Sequence, residues 1–340
     1  MILIDSIYIH TSGGQILLNQ LIEKIINSSL NNVFFLFDSR LKLKVTNSID
    51  HKNKKFLISN EYTRLNFYFK NKSKIKTVFC LANVPPPINL NGPVHIYFHN
   101  HLLLDTSNAD LNFKQKSLLW LKRRYIQFVN RETYKWHVQT QLIQKKLNKH
   151  IHVPAKNINV TPFFPELKTK TTPQKRISSA SFIYVAAFSP HKNHNNLIKG
   201  CIQAAQRINT TINLSLTLDN ENTKKLISNY KIPNNLMINA LGTLPIEKLI
   251  EKYVEHQFLI YPSLKESFGL PLIEAAQLGL KVIAADLPYT YEVIKPSLTF
   301  DPLSVSSIRD IIINALNLKG VKCTELRIEN KIEDLIENVS

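Results

Sequence analysis

The chain is predicted to be an α/β protein built from two doubly wound, Rossmann-like domains facing a central cleft. Three observations carry this prediction. Apolar runs of strand length alternate with longer segments of helical spacing in both halves of the 340 residues. The strand-like runs are continuously apolar rather than alternating, as in parallel sheets covered on both faces. The alternation stops once, across residues 162–180 (PFFPELKTKTTPQKRISSA), where prolines and threonines replace any periodicity and mark a linker.

In chain order, Ile2–Ile9 reads as a buried strand rather than a secretory leader, because no basic start precedes it. Gln15–Ile26 places Ile16, Leu17, Leu21, Ile22, Ile25 and Ile26 at helical spacing. Val33–Phe37, Thr77–Leu81 and Val94–Phe98 are strand runs. Lys114–Trp136 reads as one long basic helix. Trp136–Thr140 and Ile158–Val160 are short strands around a helix at Gln141–Leu147. Beyond the linker, strands at Ser181–Ala187, Ile212–Thr217, Met237–Leu241, Phe258–Tyr261 and Lys281–Ala284 alternate with helices. The helices are His194–Arg207, Thr223–Tyr230, Pro245–Tyr253, Leu270–Leu278 and Ser304–Asn317, and a final one is read over Cys323–Glu337. In such sheets ligands bind at the carboxyl ends of the strands.

Composition narrows the function classes. An apolar fraction of 44% excludes wholesale disorder. No run of 18 apolar residues is present, so no spanning helix is expected. Three scattered cysteines offer neither a disulfide framework nor a zinc pattern, and fit a reducing cytosol. Net charge is +18, unevenly spread: residues 1–170 carry 25 Lys and Arg against 9 Asp and Glu, whereas residues 171–340 carry 18 against 16. A one-sided positive field suits a polyanionic substrate, an anionic membrane or a nucleic acid. The 114–135 helix adds Trp120, Tyr125 and Phe128 to seven basic residues, a combination suited to an anionic membrane interface. No helix-turn-helix or aromatic RNA-binding stripe is apparent, so nucleic acid is not an expected partner.

The most informative segment is Tyr261–Val293. A strand ends at Tyr261-Pro262-Ser263, a polar loop follows, and a helix begins near Pro271, where proline is favoured. The amides of Phe268, Gly269 and Leu270 then point from a helix N-terminus, a natural place for anions and sugar oxygens. Gly269 permits close approach of a ligand to the backbone. Glu266 lies on the loop, and Glu274 eight positions later, one turn into the helix.

Glu266-x7-Glu274 enclosing Ser-Phe-Gly-Leu-Pro resembles the signature of retaining glycosyltransferases of family 4, which have the GT-B fold. Gly279 followed by KVIAAD and Glu292 is similar to the next strand and turn of that family. The resemblance implies roles. Glu266 would contact donor-sugar hydroxyls. Ser267, Phe268, Gly269 and Leu270 would meet the sugar and diphosphate. Glu274 would take the ribose hydroxyls of the nucleotide. In Ser181–Asn193 the loop Pro190-His191-Lys192-Asn193 places Lys192 on the diphosphate, with His191 and His194 as surface residues. Ala186 and Ala187 stand where the family often has Gly-Arg, so one positive charge is missing. Thr11-Ser12-Gly13-Gly14 is similar to the glycine turn that closes over the diphosphate. Thr243 and Leu244 fall in a loop similar to the one whose backbone reads the base.

On the acceptor side, His99 resembles the family histidine near the reacting centre, with His101 as competitor; Asn83 and Thr140 are further candidates. The implied organisation is an acceptor-side domain at 1–164, a linker at 165–180, a nucleotide-sugar domain at 181–322, and a C-terminal helix in 323–340 packing back on the first domain. The implied activity is transfer of a sugar from a nucleotide-sugar to a glycan or undecaprenyl-diphosphate-linked acceptor in bacterial surface polysaccharide synthesis. Configuration would be retained, and no metal or other cofactor is expected. The expected location is cytoplasmic, peripheral on the inner face of the membrane. The alternatives are a nucleotide-sugar 2-epimerase of the same fold and, in a different class, a basic nucleic-acid-binding protein.

Overall fold

The computed structural model describes residues 1–10, 12–105, 112–167, 180–317 and 320–339. They divide into two units: Met1–Pro165 with the chain from Glu329 onward, and Glu166–Ile328. Residues 168–179 of the expected linker lie outside the described residues.

Unit 1 is built on β1 (Ile2–Ser6), α1 (Ser12–Ile26), β2 (Val33–Asp38), β3 (Lys54–Leu57), α2 (Glu61–Asn71), β4 (Thr77–Cys80), β5 (Val94–Phe98), α3 (Phe113–Val129), β6 (Lys135–Val138), α4 (Gln141–Ile151) and β7 (Ile158–Val160). The strands form one parallel sheet in the order β3-β2-β1-β4-β5-β6-β7. Neighbouring side chains leave opposite faces of each strand, so the continuous apolar runs build two cores. Leu3, Val78, Ile96 and Trp136 meet Phe67 and Tyr68 of α2, Ile126 of α3, and Ile143 and Leu147 of α4. Ile4, Phe35, Phe79 and Tyr97 meet Leu17, Leu21 and Ile25 of α1 on the other side.

Two elements here were not read from the sequence. β3 is a sheet edge whose Phe56 stays 41% exposed, so it lacks an apolar run. α2 buries an arginine, Arg64, at a core position, which blurs its apolar stripe. The long basic helix is also shorter than read. It ends at Val129, where Asn130 turns to extended backbone and its side-chain oxygen accepts from Trp136 Nε1 at 3.0 Å. Trp136 itself is a fully buried strand residue.

Unit 2 comprises β8 (Ser181–Tyr184), α5 (His194–Ala205), β9 (Ile212–Leu216), α6 (Asn220–Ile227), β10 (Leu236–Ala240), α7 (Ile246–Glu255), β11 (Phe258–Tyr261), α8 (Leu270–Gln277), β12 (Lys281–Ala285), α9 (Pro288–Val293), β13 (Ile294–Lys295), β14 (Leu298–Phe300), α10 (Val305–Asn317) and β15 (Glu325–Leu326). Its main sheet is parallel, in the order β10-β9-β8-β11-β12-β14. β13 and β15 pair antiparallel beside it.

That pairing corrects the helix read over Cys323–Glu337. Residues 325–326 are strand, and the helix α11 begins only at Ile332 (Ile332–Val339). The chain returns to unit 1 before it coils: Asn330 Nδ2 donates to Phe164 O at 2.9 Å, and Lys331 N–H to Pro162 O at 2.7 Å. Ile332, Leu335, Ile336 and Val339 then complete the core beneath α1. Among the described residues no helix is long and apolar enough to cross a membrane.

Candidate active site

In a doubly wound sheet the strand order reverses at one point, and the two loops leaving that point open a crevice at the carboxyl ends of the strands. In unit 2 the reversal lies between β8 and β11. The loop after β8 is a tight turn, Pro190–Lys192, that closes on Asn193 in the left-handed conformation (φ 58°). Asparagine tolerates that backbone better than most residues. The turn is stitched to the loop after β11. Leu264 N–H donates to His191 O at 2.8 Å, and the Ser263 hydroxyl to the same oxygen at 3.3 Å. Asn193 Nδ2 donates to Pro262 O at 3.2 Å and Pro302 O at 2.7 Å.

This stitching brings Lys192 and Glu266 together. Lys192 Nζ donates to Glu266 Oε1 at 2.5 Å, and the Tyr261 hydroxyl donates to the same oxygen at 2.7 Å. The ammonium also lies 6.0 Å from the centre of the Tyr261 ring. Tyr184 meets Tyr261 edge to face and donates its hydroxyl to Lys192 O at 2.7 Å, steadying the lysine's backbone. The two charged side chains are only 16% and 9% exposed. Burial by itself would raise the pKa of Glu266. The Lys192 charge and the hydrogen bonds from Lys192, Tyr261 and Ser263 outweigh it, and the carboxyl is held below its ordinary value.

Gly269 (φ +78°) caps α8, and Pro271 stands in its first turn. A side chain at 269 would be strained by the backbone and would stand 3.1 Å from Leu272 Cδ1. Ser267 is half-buried and Phe268 is buried in the segment leading in. Leu270 opens the helix. Glu274 lies one turn further on, 4% exposed, and accepts from the Tyr253 hydroxyl of α7 at 2.7 Å. Burial raises its pKa, against the opposing effect of that hydrogen bond. The pKa values of the motif's two carboxyls are thus shifted in opposite directions.

Thr243 (exposed) and Leu244 (half-buried) follow β10 at the sheet's edge. Gly242 is left-handed there, and its N–H donates to Leu218 O at 2.9 Å. Ala186 N–H donates to Thr217 Oγ1 at 3.0 Å. His194 corrects the surface reading. It is 3% exposed, its ring packs 4.8 Å from that of Tyr184, and burial lowers its pKa to about 4. Tucking the first turn of α5 under Tyr184 is the physical reason.

In unit 1 the reversal lies between β1 and β4. Gly13 and Gly14 do not form a loop; both belong to the first turn of α1. Thr11 lies outside the described residues. A Cβ at Gly14 would come 3.2 Å from Ile9 Cδ1 and 3.5 Å from His99 Cε1, so the glycine admits the imidazole against the helix. Asn83, after β4, is buried and left-handed (φ 68°). Its Oδ1 accepts from His99 N–H at 2.6 Å. His99 Nε2 stands 3.0 Å from Leu81 O, a pure acceptor, which assigns the proton to Nε2 and leaves Nδ1 as the basic nitrogen. Burial lowers the pKa of this imidazole to about 4, so it is neutral at pH 7.

His99, Asn83 and Gly14 therefore form one cluster. His101 instead opens the short turn His101–Leu103. Thr140 is a helix cap: its hydroxyl oxygen accepts from Ile143 N–H at 3.3 Å.

Sequence reasoning missed Tyr261, Tyr253, Tyr184 and Asn193. The available signals were tyrosines ending apolar runs, whose buried hydroxyls need partners, and an asparagine just ahead of a helix. Among the described residues, no group of three or more His, Cys, Asp and Glu is placed to hold a metal ion.

Residues 168–334 match the family model of glycosyl transferases group 1. The O-antigen chain mannosyltransferase RfbU of Salmonella typhimurium is 25% identical over 179 residues, which cover 52% of this chain and 50% of that protein. The chain thus spans about half the length of that curated relative. A glycosyltransferase from Rickettsia africae has a TM-score of 0.65 at 14% identity, over 99% of this chain and 92% of its own. Anabaena Alr3699/HepE, solved in complex with UDP and glucose, has a TM-score of 0.62 at 13% identity, over 92% of this chain and 89% of its own. These structures share the fold: two Rossmann-like α/β units of the GT-B kind.

Proposed function

We propose that the chain, whose residues 168–334 match the family model of glycosyl transferases group 1, transfers a sugar from a nucleotide-sugar donor to a lipid-linked glycan in bacterial surface polysaccharide synthesis. The observation that carries the reading is the Lys192–Glu266–Tyr261 cluster at the strand-order reversal of unit 2. A nearly dry lysine beside a helix N-terminus stabilises charge developing on a departing diphosphate. Glu266, kept ionised, accepts hydrogen bonds from donor-sugar hydroxyls. Glu274 and the amides of Phe268–Leu270 hold the ribose and the sugar diphosphate, and the backbone at Thr243 and Leu244 reads the base.

In the reaction the bond from the anomeric carbon to the diphosphate oxygen breaks. The acceptor oxygen bonds that carbon on the same face, so configuration is retained, and the acceptor's proton leaves on the diphosphate. Neutral His99, steadied by Asn83 and Leu81, is the acceptor-side residue of this reading. Positive charge comes from Lys192 and helix N-termini, and no metal ion is required. The relative named a mannosyltransferase makes mannosyl donors the first to try. The basic, aromatic face of α3 holds the enzyme on the anionic membrane surface where a lipid-linked acceptor lies.

The test is thermal unfolding against UDP-, GDP-, ADP- and TDP-sugars in EDTA, followed by transfer to lipid-linked acceptor. A ligand at 100 times its Kd adds about 2.7 kcal/mol. The shift should come from one nucleotide and vanish in Glu274→Gln, which keeps the shape of the side chain against Tyr253. Transfer abolished by EDTA and restored by a divalent ion would overturn metal independence. Product with inverted configuration would overturn the same-face path.

A further inference from the structure

One carboxylate in unit 1 is shared by tyrosines from distant parts of the chain. Glu61, the first residue of α2, accepts from Tyr8 Oη at 2.5 Å through Oε1 and from Tyr125 Oη at 2.7 Å through Oε2. Burial first, and the Glu61 carboxylate second, raise both phenol pKa values, so both hydroxyls stay donors. Tyr8 lies between β1 and α1 with φ +83°, a backbone that a bulky L-residue rarely adopts. Such a conformation persists only where the surroundings impose it, and the Glu61 bond is one such constraint.

The same network reaches the loop after β4. Arg64, 1% exposed, stands 3.7 Å from Glu61 Oε1 and donates to Asp5 Oδ2 at 2.9 Å. Its other nitrogens donate to Pro85 O at 2.9 Å and Val84 O at 3.0 Å, directly after Asn83. Tyr125 belongs to α3. From that helix Arg123 also donates to Leu103 O at 2.9 Å and Asp105 O at 3.3 Å, in the segment that follows His99.

α3 is therefore tied on one side to the segments that carry Tyr8, Asn83 and His99. Its other side is open. Phe113, Trp120, Leu121 and Phe128 are 86, 55, 56 and 81% exposed, opposite the buried Ile126 and Val129. The helix carries five Lys and Arg and no acid. Exposed aromatics among cations complement an anionic lipid surface, where rings enter the headgroup layer and ammonium and guanidinium groups meet phosphates.

We propose that docking of α3 on anionic lipid is transmitted through Tyr125, Glu61 and Tyr8, and through Arg123, to the segments holding His99, Asn83 and the first turn of α1, so that lipid contact sets the geometry of the acceptor-side cluster. The inference rests on the membrane-docking reading above. Glu61 and Tyr125 are positioning residues in it.

Amide hydrogen exchange on the full chain tests it, with vesicles of phosphatidylcholine alone or mixed with phosphatidylglycerol. Phosphatidylglycerol vesicles should slow exchange several-fold in α3, in Ile7–His10 with the first turn of α1, and in His99–Asp105. In Tyr125→Phe, and separately in Tyr8→Phe, vesicle binding and slowing within α3 should remain while the effect at Ile7–His10 is lost. Slowing confined to α3 in the wild-type chain, or an undiminished effect at Ile7–His10 in both variants, overturns the coupling. No slowing in α3 overturns docking and coupling together. Nucleotide-sugar stabilisation measured on the same samples reports independently whether the glycosyltransferase reading stands.

Discussion

Replacing Lys192 by Met removes the positive charge that does most to keep Glu266 ionised in a nearly dry place. The lysine and glutamate side chains are 16% and 9% exposed, and the bond between them is 2.5 Å. Breaking one partner from a buried pair costs about 3–5 kcal/mol, because the other charge stays desolvated. Tyr261 still donates to Glu266 at 2.7 Å, so the low end, about 3 kcal/mol, is expected at pH 7. At about 2–4 °C per kcal/mol for a unit of this length, the melting of unit 2 should fall by roughly 6–12 °C.

The loss should depend on pH with a defined sign. The folded-state pKa of Glu266 lies below its ordinary value, so its contribution to stability is complete above the unfolded-state pKa and is lost as pH falls through the folded one. The gap between wild type and Lys192→Met should therefore be widest near neutrality and close on acidification. In Lys192→Met the burial effect is opposed only by the hydrogen bonds from Tyr261 and Ser263, and the carboxyl pKa should rise. Adding Glu266→Gln to Lys192→Met should recover most of the loss, since no charge is then buried without a partner. The assay is scanning calorimetry from pH 7 downward on the four proteins of this cycle. A gap under 1 kcal/mol at pH 7, or one that stays constant with pH, would refute the reasoning.

Two further outcomes are expected. Burial lowers the pKa of His95 to about 4 and of His137 to about 3, and their rings share a 3.0 Å contact, so the unfolded chain takes up protons near pH 6 that the folded one refuses. Unit 1 should then lose about 2 kcal/mol per histidine between pH 7 and pH 5; urea titrations followed by the fluorescence of buried Trp136 will show it, and a flat profile contradicts it. Gly269→Ala places a Cβ on a left-handed residue 3.1 Å from Leu272 and should cost about 1–2 kcal/mol while weakening nucleotide-sugar binding; unchanged melting and binding would mean that the α8 cap is not under constraint.

Much of this architecture is written locally. Continuous apolar runs such as Val33–Phe37 and Phe258–Tyr261 can only be strands covered on both faces, and the spacing in Gln15–Ile26 can only bury one side of a helix. The segment from Glu266 to Glu274 likewise carries its loop, its left-handed glycine and its helix start within nine residues. Local spacing failed where local preference was weak or overruled. β3 is stabilised by its neighbour β2 rather than by its own residues, and α2 turns an arginine inward because Asp5, Val84 and Pro85 receive it. Residues 323–331 have helix-like composition, yet Glu325 and Leu326 pair with β13 and the chain then crosses to unit 1.

The state of each functional group was also beyond the sequence. Lys192 and Glu266 are 74 positions apart, Glu61 and Tyr125 are 64, and Tyr253 and Glu274 are 21. Whether a carboxyl is ionised or neutral, and whether an imidazole is basic at Nδ1 or Nε2, depends on solvent exclusion and on donors within about 3 Å. The sequence by itself determined which residues stand at the ends of strands and helices. Only the tertiary structure decided which of them meet in low dielectric, and that meeting sets their charge.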